Sequence, residues 1–377
     1  MTWPLNRGNL YAIAVPVMHM CNVPVFPVNI SGCALDLLKE INEKIKSHAE
    51  WTGAKGLRAI LVHIENAERY HRRANAERDE HLYTDVIYRT NHAFEGILKE
   101  AYGVLAGGSA DRRTPNEIET YLVDNNVLPD RVVDLLKNYR QHWRNPSTHD
   151  YQLFFSEHES YLAIVTVSAF VSILVDQMLK KIAYLDEIKR LESAAGSARK
   201  DIENFGSLKS IEKVWKVLVA FGQHYILDFE NMSKIDRNSA NAQMAAFITK
   251  FAPELTVIQD ATIRRGTASV TFDLMIEDGD AVVAIETRDP RPYHFDGGDI
   301  ISDVAIDQLA ERLHLSGLNS GIVFFYPKSG VDEMVAITAS TAWPKDLAMC
   351  EIHGGHQSEC EYGDDVVEWH GNGIPAE

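Results

Sequence analysis

The run "YLAIVTVSAFVSILV", residues 161 to 175, carries no charge, and it continues into "DQMLKKIAYLDEIKRL", where Met178, Leu179, Ile182 and Leu185 recur at helical spacing. The uncharged part is shorter than the roughly 20 residues needed to span a bilayer. A helix this apolar has to be buried, so the run predicts a core helix with other helices packed around it. No membrane partner is expected.

The 377 residues suggest two or three domains. With 37 Lys plus Arg against 54 Asp plus Glu, the chain offers no bulk electrostatic grip on nucleic acid, so any such site has to be a local basic patch. Four cysteines do not make a disulfide framework. The apolar segment "YAIAVPVMHMCNVPVFPVNISG" is broken by prolines, His19 and Asn22 and lacks a basic leader, which favours short strands or extended chain and a cytoplasmic protein. Cys21 and Cys33 read as buried thiols.

Helical periodicity dominates from about residue 35 to 192, and Thr114-Pro115 with Glu117 marks a helix start. A further helix is expected over 131–143, between Pro129 and Pro146. The mixed stretch "SAAGSARKDIENFGSLK" reads as a connector. Beyond it come helices near 210–227 and 238–252, the β-type runs "TASVTFDLMIE" and "AVVAIETR" with Gly279-Asp280 in the turn between them, the helix "ISDVAIDQLAERLHLSG" and the strand "GIVFFYP". The expected organisation is a helical part joined to an α/β part. Residues 1–80 would be an N-terminal extension, 81–192 a helical domain, 193–209 a connector and 210–377 an α/β domain.

"NYRQHWRNPSTHDYQLFF" gathers chemistry-bearing residues where the helix over 131–143 should end. Lys137, Arg140 and Arg144 fall at i, i+3 and i+7, a basic stripe suited to phosphate. A bend at Pro146 would let Arg144 and His149 meet. Arginine donates paired hydrogen bonds to phosphate and histidine exchanges a proton near neutral pH, so the two suffice for metal-free attack of a ribose 2′-hydroxyl on phosphorus. The competing reading makes Arg144 a surface residue and His149 part of a cap or core hydrogen bond.

These residues, with the helix "RTNHAFEGILKEAYGVL" before them and the apolar helix after, resemble a HEPN domain, the helical domain of many prokaryotic defence and toxin ribonucleases. Arg144, Asn145 and His149 occupy the family's R-x4-H motif. The resemblance implies a homodimer with two motifs facing across a cleft, and an endoribonuclease that needs no cofactor, leaves 2′,3′-cyclic phosphates and acts on tRNA or other RNA. Lys137, Arg140 and Arg89 are candidate RNA contacts. Some members bind without cutting.

In "VTFDLMIEDGDAVVAIETR", Asp273 lies in one strand while Glu286 and Arg288 alternate to one face of the next. With Gln308 and Arg312 on the following helix, this resembles the PD-(D/E)xK nuclease fold, which implies a Mg²⁺ site at Asp273 and Glu286. Arg288 stands where that family has lysine, and arginine does not activate water by proton transfer. The resemblance therefore also admits an inactive layer that senses DNA or a phage component.

Finally, Cys350, His353, His356 and Cys360 form C-x2-H-x2-H-x3-C, a set of competent zinc ligands or, alternatively, a polar tail. Three functions stay open: a HEPN-type ribonuclease governed by the C-terminal layer, a Mg²⁺-dependent DNase with the helical part as dimerisation module, and a non-catalytic nucleic-acid sensor or scaffold.

Overall fold

The computed structural model describes residues 36–47, 54–125, 127–128, 130–149, 153–194, 205–289, 298–327, 329–331, 333–339 and 347–355. The first half is helical: α1 (Leu37–Ser47), α2 (Ala54–Glu77), α3 (His81–Ala106), α4 (Pro115–Asp124), α5 (Asp130–Tyr139), a π-helical turn (Arg140–Arg144), α6 (Asn145–His149) and α7 (Glu157–Ala194). After a short 3₁₀ turn come α8 (Ser210–Leu227), α9 (Phe229–Met232) and α10 (Arg237–Phe251). The sheet part holds β1 (Thr256–Arg265), β2 (Ala268–Asp278), β3 (Ala281–Arg288), α11 (Gly298–Ser316), β4 (Ser320–Phe325), β5 (Glu333–Ala339) and β6 (Ala348–Gly355).

α2 and α3 form an antiparallel hairpin. α2 ends with Arg78 in the left-handed region (φ 56°) while the Asp79 N–H returns to the Ala74 carbonyl at 3.1 Å, which closes the last turn. Along the hairpin the helices touch closely at Gly96, where a Cβ would stand 2.9 Å from Ile60 Cγ1. Ile41, Ile45, Leu57 and Ile64 share one core with Phe94 and Phe170, so residues 37–77 are an integral part of the bundle and not an extension to it. α4 starts as its sequence dictates: Thr114 accepts from the Glu117 N–H, and the Glu117 carboxylate accepts from the Thr114 N–H at 2.7 Å.

The apolar run is the N-terminal half of α7. α7 as a whole is long and apolar enough to cross a membrane, yet 61 % of its most apolar 18 residues are buried, with Val167, Val171, Leu174 and Met178 in the bundle core. Its 38 residues make a rod of about 57 Å. The C-terminal half leaves the bundle: Leu191 joins the core under the sheet, Lys180 pairs with Asp260 at 2.6 Å and Glu192 with Lys250 at 3.0 Å. Arg190 grips buried Glu187 through Nε to Oε2 at 2.8 Å and Nη2 to Oε1 at 2.9 Å, and reaches Asp228 at 3.0 Å. His224 on α8 approaches Glu187 Oε1 at 3.3 Å and also touches Arg190. The two halves of the protein therefore share one continuous helix, which ends at Ala194, where the connector was expected to begin. Residues 195–204 of the expected connector lie outside the described residues, as does the N-terminal apolar segment.

The six-stranded sheet has the order β1-β2-β3-β4-β6-β5, antiparallel at β1/β2, β2/β3 and β5/β6 and parallel at β3/β4 and β4/β6. Phe221 on α8 and Met244 on α10 pack with Ile285, Ile322 and Ile352 on one face, while Leu309 and Leu313 of α11 pack with Phe272, Ala284 and Val323 on the other. The chain is thus helical with a mixed sheet in its C-terminal part, as expected. β1, β5 and β6 are strands that the sequence reading left unassigned.

Candidate active site

Pro146 does not end the helix. A proline clashes with the carbonyl four residues back and offers no N–H, and here the chain loosens into a π turn in which the Asn145 N–H reaches the Arg140 carbonyl five residues back. Helix resumes at Asn145, so the helical path runs through 130–149, and the bend expected at Pro146 is replaced by this turn. Arg144 closes the π turn and His149 closes α6, five residues or about 7.5 Å further along the axis. The His149 side chain lies outside the described residues.

Arg144 is fixed from two sides. Its Nε and Nη2 both lie 2.9 Å from Glu95 Oε1 on α3, and Nη1 donates to Asn145 Oδ1 at 3.1 Å. The following turn is anchored by buried polar groups: Asn91 donates to Ser147 Oγ at 2.7 Å, and Ser147 donates to the Arg144 carbonyl at 3.0 Å. Behind them the Tyr139 hydroxyl shares its hydrogen between Thr90 Oγ1 and Asn91 Oδ1, each at 2.9 Å. Burial pushes the Tyr139 hydroxyl far above the ordinary phenol range, so it stays protonated and keeps donating.

The basic stripe is matched by acids. Arg140 Nε sits 2.8 Å from the buried Glu119 carboxylate, so its charge is spent inside the protein, whereas Lys137 is exposed. Burial pushes Glu119 up, against the pull of Arg140, Lys137 and Arg144. Arg89 is half-buried with its guanidinium 5.7 Å over the Tyr70 ring. Sequence reasoning missed Glu95, Glu119, Asn91 and Ser147; the signal for Asn91 was a polar residue at a position of α3 that points into the core.

Asn91→Ala would leave the Tyr139 hydroxyl with Thr90 alone and would take from Ser147 Oγ the donor that ties it to α3. A loss of about 2 kcal/mol is expected in denaturant unfolding, and a change below about 0.5 kcal/mol would show that the network does not hold the turn.

The second charged centre lies at the end of β3. Leu274 pairs with Ile285, so Asp273 and Glu286 continue the ladder as neighbours. Asp273 Oδ2 accepts from the Thr287 N–H at 2.7 Å and its hydroxyl at 2.9 Å. Glu286, 2 % exposed, lies between two guanidiniums: Arg288 Nη1 at 3.2 Å from Oε2 and Arg312 Nη2 at 3.0 Å from Oε1. Gln308 Oε1 accepts from Arg288 at 3.4 Å, and Arg312 also bonds the Thr271 carbonyl and covers the Phe272 ring at 5.4 Å. Burial pushes Glu286 up, Arg312 pulls it back, Asp273 adds to the rise and Arg288 opposes it.

This arrangement does not fit Mg²⁺ at Asp273 and Glu286. Two permanent cations already occupy the Glu286 carboxylate and would repel a divalent ion.

Cys350 and His353 lie on β6 three residues apart, so they face opposite sides of the sheet and do not share a zinc ion; Cys350 is in the core under α8. His356 and Cys360 lie outside the described residues. Among the described residues no group of three or more His, Cys, Asp or Glu is placed to hold a metal. Comparison with family models, curated proteins and solved structures finds no match to this chain.

Proposed function

We propose that this protein is a metal-independent endoribonuclease of HEPN type, in which Arg144 and His149 act on a phosphodiester of RNA. The observation that carries the reading is the Arg144 turn: a guanidinium fixed by Glu95 and Asn145 at the end of a π turn, five residues before His149 on the same helical path. π turns inside helices are frequent at functional sites, and the buried Asn91–Ser147 link spends desolvated polar groups on holding this one.

In the proposed step, histidine removes the 2′-hydroxyl proton, the oxygen attacks the adjacent phosphorus, and the bond from phosphorus to the 5′-oxygen breaks as that oxygen takes a proton from water. Arg144 offsets charge on the phosphoryl oxygens, for which phosphate has to compete with Glu95. Two copies facing each other would complete the cleft. Such an activity suits antiviral defence or toxin-like growth arrest.

The C-terminal layer is then a recognition element. Arg288 and Arg312 are a quarter and a third exposed in their side chains, and with Gln308 they present donors for an anionic group such as a nucleic-acid phosphate. A Mg²⁺-dependent DNase would first have to strip both guanidiniums from Glu286.

EDTA separates the two readings. Incubation of total tRNA and single-stranded DNA with the purified protein is expected to cut RNA alone, in EDTA as well as in Mg²⁺, leaving cyclic phosphate ends. Cutting of DNA that requires Mg²⁺ would sink the ribonuclease reading.

A further inference from the structure

Tyr88, His92, Glu95 and Lys99 fall at i, i+4, i+7 and i+11 of α3 and so line one stripe of that helix. Glu95 on this stripe is the partner of Arg144, so the stripe leads directly into the proposed site. From Arg144 at Glu95 the chain passes Ser147 at Asn91 and heads toward the N-terminal half of α3, where Tyr88 stands. Tyr88 is 45 % exposed, and His92 and Lys99 are exposed as well.

On the α2 side the stripe is bordered by aromatic and cationic groups. His63 stacks on His92 with ring centroids 5.2 Å apart and an interplanar angle of 22°, and Arg89 is held over Tyr70. An exposed tyrosine, a flat imidazole pair and a lysine in one row, with an arginine plane beside it, match single-stranded RNA, whose bases stack on aromatic faces while cations follow the backbone.

We propose that this α3 stripe is a track for the unpaired RNA strand flanking the scissile phosphate, with one base stacked on Tyr88 and phosphates met by Lys99 and Arg89. The track rests on the ribonuclease reading for its direction toward Arg144, though binding can be read without cleavage. A double helix buries its base faces, so the track selects unpaired segments such as loops.

The test is fluorescence anisotropy with a labelled, unstructured oligouridine of about 12 nucleotides, titrated with full-length His149→Ala protein so that the RNA stays intact. Adding Tyr88→Ala is expected to weaken binding roughly 10-fold, whereas Tyr88→Phe, which keeps the ring, leaves it unchanged. Lys99→Glu is expected to weaken it as well and to flatten its salt dependence. Equal binding by the Tyr88→Ala protein, or no binding by the parent, overturns the track. Cleavage by the wild-type protein is measured alongside. RNA cutting with an inert Tyr88 rejects the track and spares the ribonuclease, while Tyr88-dependent binding without any cutting supports the track and rejects the ribonuclease.

Discussion

Replacing His149 with alanine is expected to lower RNA cleavage in EDTA by about 10²- to 10⁴-fold, the range over which a positioned acid or base accelerates proton transfer. Arg144→Lys should act through charge placement instead. Lysine retains the positive charge but has a single nitrogen, and it cannot hold Glu95 and Asn145 together while still facing a phosphate, so a loss of about 10²-fold is expected. Because both side chains serve one transition state, the double variant should be little worse than His149→Ala alone. Single-turnover cleavage of a tRNA substrate measures all three proteins, with circular dichroism melts to confirm that each is folded. Full activity in the His149→Ala protein would remove histidine from the chemistry and with it the R-x4-H reading. Additive losses would instead mean that Arg144 and His149 act at separate steps.

The sequence carried the architecture where a periodic pattern met a clean boundary. β3 (Ala281–Arg288) coincides with the run "AVVAIETR", the left-handed Gly279 sits in the turn before it, and α8 and α10 fall where their apolar spacing put them. β5 and β6 escaped even though Ser329-Gly330, with Gly330 at φ 84°, makes a turn just before β5; β6 contains Cys350 and His353, whose spacing suggested a ligand set before it suggested a strand. At the candidate site the motif residues were legible but their partners were not. Glu95 and Glu119 are ordinary helix-surface letters in a one-dimensional reading, and only the packing of α3 and α4 against the π turn brings them to Arg144 and Arg140. Pro146 misled for a physical reason: proline excludes an α-helical hydrogen bond, yet a π turn removes the need for it. In the C-terminal layer the alternation of Glu286 and Arg288 was read correctly, whereas the role of Arg312 depends on how α11 lies across the sheet.

Glu187→Ala is expected to destabilise the protein by about 3 kcal/mol, because it strips the anion from a cationic cluster at the joint between the bundle and the sheet. Glu187 is almost wholly buried, and its two oxygens receive Arg190 and face His224, so alanine leaves both partners without their central charge. Burial alone would raise the Glu187 carboxyl, but hydrogen bonds from His224 and Arg190 overcome it and hold the group below the ordinary glutamate range. A carboxyl depressed in the folded state contributes stability that is fully present above its unfolded value and is lost as pH falls through the folded one. Wild type and Glu187→Gln should therefore differ clearly in denaturant midpoint near neutral pH and converge as the pH falls below the ordinary glutamate range. The effect should also be global. α7 carries both cores on one continuous helix, so loosening its C-terminal half frees Leu191 from the lower core and removes support from the sheet. Fluorescence of the tryptophans, with Trp143 against the bundle and Trp215 under the sheet, would follow both regions. A single shared transition that shifts as a unit fits a rigid joint. A shift confined to the Trp215 signal would mean that the bundle stands without the sheet and that α7 does not couple them.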